Sequence, residues 1–87
     1  MIHLPATLTH AQAESCLSEL RAQMGAGEGD FELDAAGLQA FDSSALAVLL
    51  ACRRHAQASG REFSVLRMPE RLRSLAHVYG VLDLLGH

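Results

Sequence analysis

The 87-residue sequence predicts an α/β fold, a small layer of mainly parallel strands joined through helices. Three observations carry this expectation. Short runs near the start, at Asp30–Asp34 and at Glu62–Leu66 alternate apolar and polar residues, as half-buried strands do. After each comes a segment with apolar residues at helical spacing. The resulting order is strand, helix, strand, helix, strand, helix, and crossovers through full helices favour parallel, right-handed connections.

The first run is Met1-Ile2-His3-Leu4-Pro5, where Pro5 ends the strand or confines it to a sheet edge. Thr9 followed by Gln12 matches a capping box. Behind it Ala13, Cys16, Leu17, Leu20 and Met24 form a helical stripe that Gly25 stops, and Gly25 to Gly29 reads as a flexible turn. In Asp30–Asp34, Phe31 and Leu33 are expected to face a core and the acids to face outward. Residues 35–41 read as a loop.

The central helix is the most strongly marked element. Asp42 and Ser43 are good N-caps and Gly60 suits a left-handed stop, bracketing about four to five turns. Ala45 to Cys52 is an unbroken apolar octet. That is too much for one face, so the helix is either deeply buried or covered on a second side. In the strand after Gly60, Phe63 and Val65 are expected to point inward. Pro69 fits the first position of a third helix with the stripe Leu72, Leu75, Ala76 and Tyr79, stopped by Gly80. Residues 81–85 read as one last apolar helical turn.

Composition narrows the function classes. At 49% apolar residues the chain, read as one domain over residues 1–87, can build a core without disulfide or metal staples. No signal peptide or membrane span is recognisable. All seven basic residues are arginine, and against ten acids they leave a net charge of −3, which opposes a phosphate-tracking nucleic-acid binder. Cys16 and Cys52 each fall in a helical apolar pattern, as reduced core thiols of a cytoplasmic protein do. His3, His10, His55, His77 and His87 are scattered, with no metal-type spacing, so no metal or cofactor is expected. No phosphate-cradling loop, dinucleotide fingerprint or nucleophile elbow is present. Asp42 and Ser43 could join a histidine in a triad, but neighbouring Asp and Ser at a helix start are ordinary caps.

On a helical wheel Ala45, Leu46, Leu49, Cys52 and Ala56 share one arc, flanked by Leu50 and Arg53. Opposite lie Ser44, Ala47, Ala51, Arg54, His55 and Ala58, with Val48 at the edge. Two readings of this outer arc stand side by side. Alanine is the best helix former and is tolerated anywhere. Alternatively, the arc is a low-relief docking face that begins at the two serines.

Phe41-Asp42-Ser43-Ser44-Ala45-Leu46-Ala47-Val48-Leu49-Leu50 resembles the D-S-[ST]-G-L motif of STAS domains (sulfate transporter and anti-sigma factor antagonist). The tail Leu75-Ala76-His77-Val78-Tyr79-Gly80-Val81 is similar to the end of the MlaB branch, the cytoplasmic STAS subunit of the ABC transporter that maintains outer-membrane lipid asymmetry. The likeness runs from about Leu4 to the end. It implies a four- or five-stranded mixed, mainly parallel sheet with helices packed mainly on one face, and a binding module without catalysis. Ser43 matches the family's phosphorylatable or interface hydroxyl, Ser44 its neighbour and Asp42 the preceding acid. Ala45 stands where many members have glycine. The family's usual first strand is expected to be absent, which leaves one sheet edge open to a partner or a second copy.

The resemblance therefore implies a non-enzymatic accessory subunit that docks on the cytoplasmic ATPase of a phospholipid ABC transporter. It would sit at the inner face of the inner membrane through that partner, with no direct insertion. The expected contact patch is Asp42, Ser43, Ser44, Ala47, Val48, Ala51 and Arg54. The alternative is an anti-sigma factor antagonist that uses the same patch on an anti-sigma factor kinase and is released when Ser43 is phosphorylated.

Overall fold

The computed structural model describes residues 1–25 and 29–85. The turn expected between Gly25 and Gly29 lies, over residues 26–28, outside the described residues. The elements run β1 (Ile2–His3), β2 (Thr7–Leu8), α1 (His10–Gly25), β3 (Phe31–Asp34), β4 (Ala40–Phe41), α2 (Ser43–Ala58), β5 (Phe63–Leu66) and α3 (Glu70–Val78). A 3-10 turn, Leu82–Leu85, follows. The strands are parallel throughout but divide into two small sheets, β1-β3-β5 and β2-β4. In the larger sheet Leu33 of β3 lies between Ile2 and Val65.

Two outcomes concern strands. The short run at the start forms β1, which pairs with β3 through Ile2 and His3, although it is only two residues long. The expected loop 35–41 contains β4 and sends Ala35 and Leu38 into the core. Two-residue bridges such as β2-β4 carry no periodicity that a sequence could display.

Helix starts and stops follow the side-chain chemistry. The Thr9 amide donates to Gln12 Oε1 at 2.9 Å, which opens α1. Gly60, at φ 69°, ends α2 in a left-handed turn; its amide donates to Gln57 O and the Arg61 amide donates to Ala56 O. Gly80, at φ 73°, repeats the arrangement after α3, with bonds to His77 O and from Val81 to Ala76 O. Pro69 caps α3 rather than starting it, and supplies the carbonyl that accepts from Arg73.

The wheel of α2 is right on one side and too generous on the other. Ala45, Leu46, Leu49, Cys52 and Ala56 are buried as expected. Val48 and Ala51, placed on the outer arc, are also buried, at 2% and 7% exposure. α1 packs against α2 and brings Cys16, Leu20 and Met24 into the same core as Val48. The apolar octet thus serves two neighbours. Of that outer arc Ala47, Arg54 and Ala58 are exposed, and Ser44 and His55 are half-buried. Two further residues depart from expectation: Asp34 is buried rather than outward, and Tyr79 is 58% exposed rather than part of the α3 stripe.

Candidate functional site

The start of α2 is built around Asp42. Its backbone is extended, and Oδ1 accepts from the Ser44 amide at 2.8 Å. Oδ2 accepts from the amide of His10, the first residue of α1, at 3.2 Å. One carboxylate therefore joins the amino ends of both long helices, where amides and helix dipoles favour negative charge. The Ser44 amide first, with help from that of His10, holds the Asp42 carboxyl below its ordinary range.

Ser43 is exposed at this junction, and beside it opens a groove of about 740 Å³ between the start of α2 and the outer face of α3. Phe41, Leu75, Val78 and Tyr79 give it an apolar lining, and Arg71, Glu70 and Ser74 add polar groups. The Arg71 guanidinium lies 5.0 Å from the centroid of the Phe41 ring. Val78 is 78% exposed, so together with Tyr79 it puts large apolar surface into solvent next to a hydroxyl. Such a rimmed apolar concavity suits another macromolecule.

Of the residues singled out from sequence, Asp42 and Ser43 line this groove. Ser44 stands next to it, half-buried. Ala47 and Arg54 are exposed further along α2, and Val48 and Ala51 are buried, at 2% and 7% exposure. The sequence reading missed Arg71, Val78 and the outward Tyr79. A signal for Val78 was available, because a large β-branched residue falls off the stripe Leu72, Leu75, Ala76.

The arrangement gives Ser43 no partner for nucleophilic chemistry. No histidine hydrogen-bonds its hydroxyl among the described residues, and the Asp42 carboxylate that could orient one is engaged by two helix amides. No group of three or more His, Cys, Asp or Glu able to hold a metal occurs among the described residues. Cys16 and Cys52 are free and buried. Burial pushes both thiols up, that of Cys52 to about 11. No helix of the described residues is long and apolar enough to cross a membrane.

A family model described as "Mlab, STAS domain" matches residues 1–86. The chain belongs to the STAS domain family. Members of that family are generally non-enzymatic. No curated protein matches this STAS domain.

Proposed function

We propose that this STAS domain is an MlaB-type accessory subunit that docks on the cytoplasmic ATPase of a phospholipid ABC transporter through the groove beside Ser43. The observation that carries the reading is the juxtaposition of Ser43 with exposed Val78 and Tyr79 on one concave surface. Its support from relatives is the description of the matching family model, which names the MlaB branch. In this reading the domain contributes shape and apolar contact, and the ATPase supplies the chemistry. The contact patch is Asp42, Ser43 and Ser44 at the start of α2, continued by Leu75, Val78 and Tyr79 of α3.

A second reading uses the same surface. Ser43 is exposed at a helix amino end, where a phosphate is electrostatically welcome. In an anti-sigma factor antagonist that modification would place about −1.5 to −2 charges in an apolar contact and release the partner. Co-elution on a sizing column separates the two. The purified domain is run with the ATPase subunit of the phospholipid transporter and, separately, with an anti-sigma factor kinase from the same cell. A stable complex with the ATPase supports the first reading. A complex with the kinase alone, lost on Ser43→Asp, replaces it with the second.

A further inference from the structure

Outside the groove, the most heavily connected polar group is Asp34, at the carboxyl end of the central strand β3. It is 7% exposed, and its carboxylate meets groups from three parts of the chain. Arg67 donates from Nε to Oδ1 at 3.0 Å and from Nη2 to Oδ2 at 2.8 Å, a two-pronged fork. The Ala36 amide donates to Oδ1 at 2.9 Å, and His3 Nδ1 lies 3.3 Å from Oδ2. Arg67 is also the only non-glycine residue with positive φ among the described residues, at 53°. A side chain in that left-handed region crowds its own backbone, so something must hold it there.

The location gives this strain a consequence. Arg67 is the first residue after β5, and α3 begins three residues later. The turn between them decides the direction in which α3 leaves the sheet. α3 itself is short. It sends Leu72 and Ala76 into the core and packs on the 3-10 turn that follows it. Yet α3 supplies Arg71, Leu75 and Val78 to one wall of the groove, with Tyr79 at its end.

We propose that the Asp34–Arg67 fork is a latch that holds residue 67 in its left-handed conformation and thereby fixes α3, and with it the far wall of the groove. The fork offsets the backbone strain at Arg67, and without it the β5–α3 turn relaxes. This concerns how the groove is built and stands whatever docks there.

Amide hydrogen exchange on the full chain tests the latch through a double-mutant cycle of Asp34→Asn and Arg67→Gly. Asparagine keeps an oxygen for the Ala36 amide but weakens the fork, and glycine adopts positive φ without help. In the parent background Asp34→Asn should speed exchange across α3 about tenfold relative to α1 and α2, matching the strain left uncompensated. In the Arg67→Gly background the same change should speed α3 less than about twofold. An equal acceleration in both backgrounds would overturn the proposal, and so would a uniform rise in all three helices. Should Asp34→Asn not fold, Arg67→Ala against Arg67→Gly decides. Faster α3 exchange in the alanine variant supports the latch, and equal exchange refutes it.

Discussion

Ala47 and Ala51 lie one turn apart on α2, and the same substitution at each should have opposite results. Ala47 is exposed, whereas Ala51 is only 7% exposed. At position 47 glutamate is a good helix former in solvent, so Ala47→Glu should change stability by no more than about 0.5 kcal/mol. At position 51 the longer side chain must enter buried space and its carboxylate must lose hydration. Overpacking alone costs about 1–3 kcal/mol, and an unpaired buried charge costs several more. A loss of at least about 3 kcal/mol is a large part of the roughly 5–15 kcal/mol that holds a domain together. For a chain of this size it should lower Tm by about 12–24 °C, against about 4 °C or less for Ala47→Glu. Thermal melts followed by circular dichroism at equal pH and salt read both. If Ala51→Glu melts with the parent, that flank of α2 is not buried and the apolar octet does not face the interior on two sides.

Two further predictions use the titrating groups. Bonds from Arg67, and next from the Ala36 amide, hold the Asp34 carboxyl down at about 2 against an unfolded value of 3.8. The unfolded chain therefore binds more protons between these values, so the contribution of Asp34 is full above about pH 4 and fades as pH falls towards 2. Urea midpoints between pH 4 and pH 2 should accordingly fall less steeply in Asp34→Asn than in the parent, and equal slopes would contradict the fork. The raised thiols of Cys16 and Cys52 should leave both cysteines unreactive towards a disulfide reagent at pH 8 in the native state, and both reactive in denaturant. Fast labelling of either cysteine in the native protein would show that it is not in the core.

Much of the architecture can be read from local chemistry. Asp42 and Gly60 mark α2 because capping depends on residues adjacent in sequence. Phe31, Leu33 and Val65 show their inward face by simple alternation. What stays hidden depends on neighbours distant in sequence. Periodicity shows that α2 has apolar residues to spare, but not that Val48 and Ala51 are buried as well. Alternation sends Asp34 outward, because nothing nearby announces Arg67, 33 residues on. Ser43 is recognisable as a candidate from its motif, yet the groove exists only because α3 turns Val78 and Tyr79 towards it.

The docking groove is the central claim, and Val78 tests it most directly. At 78% exposure its side chain does little for the fold, so Val78→Glu should leave the melting curve nearly unchanged. In a complex formed through the groove, the same change places a carboxylate where apolar contact is needed, which truncation studies of buried interface residues value at about 2 kcal/mol or more. The measurement is the affinity of Val78→Glu for the transporter ATPase, by titration calorimetry beside the parent. The expected result is a loss of roughly thirtyfold or more with folding intact. An affinity equal to the parent's would place the docking surface elsewhere on the domain.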